Sequence, residues 1–249
     1  SSEVTALLDE NSKAEKQGEN YVVTTYYAQV GETKYATLQA AADAATAGQT
    51  VKAPNDVDMT TGSNLTVKAG KDIVLDLNGH SIKGANSPTN NINVLGKLTL
   101  KDSKENSTGK IYAETPYVAN VYSYGLIWVR DKGEFVMESG YVKAVIPEDT
   151  PHNGQFGIVV NNGGKVTING GTIEVGWSAI TGEGGAAEPT TVTVNGGTLI
   201  STSDFAIYHP QSGTLIINEG ATIYGAGGAI AMRGGKLEVN GGLLTSKGK

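Results

Sequence analysis

The phrase Gly164-Lys165-Val166-Thr167-Ile168-Asn169-Gly170-Gly171-Thr172-Ile173 returns as Thr191-Val192-Thr193-Val194-Asn195-Gly196-Gly197-Thr198-Leu199, and again in shortened form at 213–218 and 235–242. Its turn asparagines, Asn169, Asn195, Asn218 and Asn240, recur every 22 to 26 residues. A fixed period of that length is the signature of stacked repeats, each burying its apolar face only against its neighbours. Aligning the turns produces columns. Leu75/Leu77, Leu98/Leu100, Phe135/Met137, Val166/Ile168, Val192/Val194, Leu215/Ile217 and Leu237/Val239 alternate along one strand and are expected to face inward. A second apolar column reads Ile82, Ile111, Val142, Ile173, Leu199, Ile223 and Leu244. A third begins at Leu126, Ile158, Ile180, Ile207 and Ile230.

Three short strands per repeat, each buried on one side, describe an all-β parallel β-helix, a solenoid. Hairpins would also accommodate an Asn-Gly-Gly corner, but they join neighbouring strands. Here the strands match across whole repeats, which favours parallel pairing. Stacked corners would let the four asparagines form a ladder of side-chain amides. Four interruptions, 101–109, 114–123, 146–155 and 182–189, read as loops projecting from the scaffold, the first places to seek binding.

Upstream of the array the pattern changes. Residues 1–35 form an N-terminal extension and leading strand, with a short helix or arm over about the first 20 and a strand from Tyr21 to Val30. Within 36–50 lies the single convincing helix, alanine-rich, N-capped by Thr37 and followed by Gly48. A helix there would cap the first strand edges of the array, 51–249. At Val51-Lys52-Ala53-Pro54-Asn55 the proline predicts an irregular or edge strand.

Composition narrows the function classes. With no cysteine, disulfides, thiolate metal sites and cysteine nucleophiles are excluded. A formal charge of -6 and only two arginines, Arg130 and Arg233, oppose nucleic-acid binding, which requires clustered cations. No apolar run reaches the roughly 20 residues of a membrane-spanning helix.

No catalytic signature stands out. The outward column beside the first core column reads Asp76, Thr99, Val136, Thr167, Thr193, Ile216, Glu238, with its two acids at opposite ends. The next reads Lys83, Tyr112, Lys143, Glu174, Ile200, Tyr224, Thr245, in which Lys143 and Glu174 form a surface ion pair in preference to an acid–base pair. Glycosidases need two carboxyl groups roughly 5–10 Å apart, and no outward column supplies them. Asp56-Val57-Asp58 places two carboxylates on one face of an extended segment, a weak candidate for calcium; no metal and no cofactor is expected. His80, His152 and His209 have no triad partners, and His209 reads as a solvated or structural histidine before a functional one. Tyr124, Phe156 and Phe205 precede the third strand by two residues and Trp177 by three, which makes either a buried aromatic ladder or an exposed ridge suited to sugar faces.

Two segments, Lys34-Tyr35-Ala36-Thr37-Leu38-Gln39-Ala40-Ala41-Ala42-Asp43-Ala44-Ala45-Thr46-Ala47-Gly48-Gln49-Thr50-Val51 and Ile73-Val74-Leu75-Asp76-Leu77-Asn78-Gly79-His80-Ser81-Ile82, resemble the entry segment and first turn of pectate-lyase-like right-handed β-helices on bacterial surface proteins. With the Asn-Gly-Gly repeats the resemblance covers most of 30–249. It implies a right-handed, single-stranded parallel β-helix with an N-terminal capping helix, secreted or wall-attached in a bacterium. Relatives of this kind include adhesin-like modules and also polysaccharide lyases and hydrolases. The expected function is therefore a non-catalytic, adhesin-like module binding a glycan or a host or microbial surface protein, with Tyr122, Tyr124, Trp177, Tyr208, His209 and Arg233 as the contact surface. A polysaccharide lyase or glycoside hydrolase is the alternative, and a passive spacer the third reading. The abrupt start at Ser1 and the final phrase running uncapped into 246–249 read as boundaries within a longer surface protein.

Overall fold

A computed structural model describes residues 8–60, 64–84, 91–114, 125–145, 156–185 and 187–247. These residues are almost entirely β, with one helix and two main sheets of parallel strands. The strands fall into three sets. The first runs from Gln49–Lys52 through Asp72–Asp76, Lys97–Lys101, Glu134–Met137 and Lys165–Ile168 to Lys236–Val239. The second runs from Val57–Asp58 through Ser81–Lys83, Lys110–Glu114, Tyr141–Val145 and Thr172–Val175 to Leu243–Ser246. Two long strands, Thr190–Ser201 and Gly213–Gly225, belong to both sets and join them into a 16-stranded sheet. The third set is a separate 7-stranded sheet from Leu65–Val67 through Ile92–Val94, Gly125–Val129, Phe156–Val160, Ile180–Gly182 and Phe205–His209 to Gly228–Met232.

Within each set a strand pairs in parallel with its counterpart one repeat away, so hairpin pairing does not build the array. Antiparallel pairing is confined to the N-terminal region. There, Ser12–Gln17 pairs with Asn20–Thr25, and Ala28–Val30 pairs with Thr33–Tyr35 and with Gln49–Lys52. The helix or arm expected over the first 20 residues is thus a hairpin from Ser12 onward, closed by Gly18 at a φ of 64°. No apolar residue recurs at helical spacing over Ser12–Gln17, and the β-branched run Val22-Val23-Thr24-Thr25 favours the strand it pairs with. The strand read from Tyr21 to Val30 is broken at Tyr26-Tyr27 into two.

Parity came through intact in the first two columns, and three positions need correction. Leu98 and Leu100 lie opposite Ile73 and Leu75, not Leu75 and Leu77, so the first column begins two residues earlier. Ile127, not Leu126, aligns with Ile158. Asp76 leaves the outward column: its place is opposite Lys101, and its Oδ1 accepts from the backbone N–H of Asn78 and of Ser103, both at 2.9 Å. The second column and its outward neighbours align as read, including Lys143–Glu174, whose Nζ and Oε2 lie 3.3 Å apart. Each fully buried Leu, Ile or Val in these columns contributes about 1.5–3 kcal/mol.

The corners explain the repeated motif. Nδ2 of Asn195 donates to Oδ1 of Asn169 at 2.8 Å, Asn218 to Asn195 at 2.7 Å, and Asn240 to Asn218 at 2.8 Å. Asn169 in turn donates to Oε1 of Glu138 at 2.9 Å, extending the ladder by one acidic residue. At these corners Gly171, Gly197 and Gly242 have φ of 81°, 79° and 95°, a region costly for any residue with a Cβ. Glu219 adds one residue to its corner, and the pairing shifts there as a bulge between Val194 and Gly196.

The helix is shorter than its predicted segment, Leu38–Ala44. Thr37 caps it as expected, its Oγ1 accepting from the Ala40 N–H at 3.1 Å. It ends at Ala45 in extended conformation, and Gly48 belongs to the following turn rather than to the cap. Leu38, Ala41 and Ala42 are buried against the first strands of the sheets, and Gln39 clamps Thr66 by accepting its N–H at 2.7 Å and donating to its carbonyl at 3.1 Å. Gln49–Lys52 is no edge strand, because it has partners on both sides and ends two residues before Pro54. At the other end, Leu237, Val239 and Leu243 are 40%, 52% and 58% exposed, although the first two have inward parity. No further strand covers them among the described residues.

Candidate functional site

Aromatic side chains gather beside the 7-stranded sheet. Phe156 opens its strand and is buried; Trp177 lies in the turn between Thr172–Val175 and Ile180–Gly182 and is half-buried. Their ring centroids are 4.7 Å apart with planes tilted by 36°, an offset contact that favours both rings. The next repeat fixes the indole from below. Backbone N–H groups of Thr202 and Ser203 donate to the carbonyls of Val175 and Gly176, both at 3.0 Å, stacking turn upon turn. This sets Asp204 where its Oδ2 accepts from the Trp177 Nε1–H at 2.7 Å. Asp204 is itself anchored, its N–H donating to Ser201 Oγ at 3.0 Å.

Tyr208 points outward from the following strand, directly opposite Thr181. Beyond Thr181, Gly182 leaves room that the Gln211 amide fills, and Gln211 Nε2 donates to Thr190 Oγ1 at 3.0 Å. Glu183 then turns out of the strand, its Oε2 accepting from Asn161 Nδ2 at 2.9 Å. Together Phe156, Trp177, Thr181, Glu183, Asp204, Tyr208 and Pro210 line a depression of about 520 Å³. That size lies within the range of small-molecule sites, and its aromatic walls with a few fixed polar groups have the usual composition of one.

The six residues expected to form a contact surface are divided by the structure. Trp177 and Tyr208 meet in this depression. Tyr122 and Tyr124 lie outside the described residues, as does His152. Arg233 is exposed but stands one strand further along, its N–H donating to the His209 carbonyl at 2.9 Å, and it does not line the depression. His209 is a correction: two residues after inward-facing Ile207, it shares that parity and is 1% exposed. Its Nδ1 lies 3.3 Å from the Gly234 carbonyl, and Nε2 is buried without a protein partner. It is a core residue and presents nothing to a ligand. The two aromatic alternatives also resolve into neither extreme, since Phe156 is covered and Trp177 only in part.

Burial holds the His209 imidazole below its ordinary value of 6.5. The folded state therefore resists the proton that the unfolded chain accepts, so this residue's contribution to stability is complete above about pH 6.5 and is lost as pH falls from there through the folded-state value. Urea titrations across mildly acidic pH should show a steeper loss for the parent than for His209→Leu. Equal slopes would mean that His209 protonates without penalty.

Sequence columns missed Glu183 and Asp204 because both sit in turns, where strand parity carries no information. Trp128 was missed too; it points outward opposite Val159, and the Arg130 guanidinium lies 4.3 Å above its ring while pairing with Asp131 at 3.2 Å. The acids considered for calcium are otherwise engaged. Asp58 accepts from the Thr60 N–H at 2.8 Å and hydroxyl at 2.5 Å, which hold its carboxyl below the usual value, and Asp56 accepts from the Ser81 N–H at 2.8 Å. Among the described residues no three His, Cys, Asp or Glu side chains converge as a metal site. Nor is any described helix long and apolar enough to cross a membrane.

The chain matches no family model, no curated protein and no solved structure.

Proposed function

We propose that this protein is a right-handed, single-stranded parallel β-helix whose depression around Trp177 binds glycans without catalysis. Support for the fold comes from three sets of strands whose parallel pairing is with their counterparts one repeat away, together with the strong right-handed preference of parallel crossovers. Leu38–Ala44, packed on the first strands, acts as the N-terminal cap. Secretion or attachment to a bacterial surface follows from the resemblance of 34–51 and 73–82 to surface β-helices, as does membership of a longer surface protein.

The observation that carries the binding reading is an indole pinned edge-on by Asp204, packed on Phe156, and placed in one concavity with Tyr208. Pyranose rings present apolar C–H faces that stack on aromatic rings while their hydroxyls reach flanking acids. Because the indole is fixed before contact, little ordering entropy remains to be lost on binding. Calorimetry against a panel of neutral, amino and uronic oligosaccharides, alone or on a surface glycoprotein, tests this. Trp177→Ala should weaken binding roughly tenfold or more, as expected for an aromatic anchor. A panel blank throughout would defeat the reading and leave the spacer role.

One observation favours a second reading. Glu183 and Asp204 line the same depression, and paired carboxyl groups are the machinery of glycoside hydrolysis. Against it, one oxygen of each carboxylate is already engaged, Glu183 by the Asn161 amide and Asp204 by the Trp177 indole, contacts that hold each acid to the wall and away from a sugar's scissile oxygen. A lyase is supported less, since among the described residues no lysine or arginine lines the depression. Release of new reducing ends from the same panel, abolished by Glu183→Gln, would establish the hydrolase.

A further inference from the structure

We infer that the ligand taken by this depression carries a positive charge, an amino sugar with a free amine in preference to its acetylated or uronic counterpart. The inference rests on the glycan reading and concerns which glycans are accepted.

Three observations point the same way. Among the described residues, both charged side chains lining the depression, Glu183 and Asp204, are acidic. Among the described residues neither is paired with a lysine or arginine; their partners are the Asn161 amide and the Trp177 indole. Cations nearby in the fold are neutralised or remote: Lys132 pairs with Glu188 at 3.3 Å, Arg130 pairs with Asp131, and Arg233 lies a strand away. An anionic sugar brought here would meet two like charges without a counter-charge, and repulsion between groups in contact excludes ligands more strongly than attraction selects them.

Aromatic walls add to the preference. A protonated amine within about 6 Å of an indole or phenol ring is attracted to its π-face, most strongly for tryptophan. Trp177 and Tyr208 supply such rings in the same concavity as the carboxylates. Hydrogen bonds from Asn161 and Trp177 hold Glu183 and Asp204 in place, so their charges are aimed before the ligand arrives.

The test compares glucosamine oligomers, N-acetylglucosamine oligomers of the same length, and oligogalacturonates, by calorimetry at mildly acidic pH with the whole chain. The amine oligomers should bind about tenfold or more tightly than the acetylated ones, the advantage shrinking as salt rises. Oligogalacturonates should not bind. Glu183→Gln, which keeps an acceptor for Asn161, should narrow the gap between the first two ligands by weakening the amine oligomers more than the acetylated ones. Equal binding of amine and acetylated oligomers, or an unchanged gap in Glu183→Gln, overturns the charge preference and leaves the glycan reading standing. Failure of every oligosaccharide, neutral ones included, overturns both.

Discussion

Phe135→Ala should lower the free energy of unfolding by about 3–5 kcal/mol, a loss readable in urea denaturation followed by far-ultraviolet circular dichroism. Phe135 is the largest fully buried side chain among the described residues, and it sits between Leu98 and Val166 in adjacent repeats. Removing the ring leaves a void that backbone hydrogen-bonded on both sides cannot collapse to fill. Its neighbour Val136 has the opposite parity and is half-exposed, so Val136→Ala should cost under about 1 kcal/mol. In a stacked array each repeat is stabilised chiefly by contact with its neighbours. A central void therefore weakens two interfaces, whereas Leu237→Ala at the exposed end, where the residue is 40% accessible, weakens one already incomplete. Similar costs for Phe135→Ala and Val136→Ala would mean that the inward columns are misassigned.

In the 16-stranded sheet parity was legible because a strand alternates strictly and a single polar residue on the wrong face would be conspicuous. Register was less so. Leu77 is fully buried, as are Ile73 and Leu75, so three successive inward residues compete for a column that needs two. Only the corner settles the choice, and Asp76, which closes that corner by accepting backbone N–H groups, looks in the sequence like one more outward polar residue. The same ambiguity separated Leu126 from Ile127, both of which are buried. The asparagine ladder was fully legible, since identical residues at identical corners must meet when repeats stack.

The depression was half legible. Trp177 and Tyr208 are conspicuous as aromatics near a strand, but their direction depends on register by single residues. Tyr208 faces out and His209 in, although the two are adjacent and equally polar in the sequence. Asp204 and Glu183 gain their positions from turns stacked on turns, and that geometry depends on long-range hydrogen bonds such as Ser203 to Gly176. Strand columns alone therefore show no acids where two share one concavity.

Backbone geometry links that concavity to the array through Gly213, and Gly213→Ala should be among the most damaging small substitutions in the chain. Gly213 lies opposite Thr190 with a φ of 121°. A Cβ there would stand 1.9 Å from the Thr190 carbonyl oxygen and 2.6 Å from its nitrogen, atoms of a strand that cannot swing aside. The strained φ alone costs on the order of 1–3 kcal/mol, and parting the strands adds lost hydrogen bonds, for a total above about 3 kcal/mol. Gly48→Ala isolates the conformational part, because Gly48 also has a positive φ, 77°, but nothing lies within 4 Å of its Cβ position; its cost should be about 1–2 kcal/mol. Damage at Gly213 also travels. Thr190 accepts from Gln211, whose amide packs over Gly182 in the wall of the depression. Gly213→Ala should therefore weaken ligand binding at temperatures where the protein remains folded, while Gly48→Ala leaves affinity unchanged. If the two variants are equally stable, or if binding survives Gly213→Ala intact, the close approach of these strands does not shape the site.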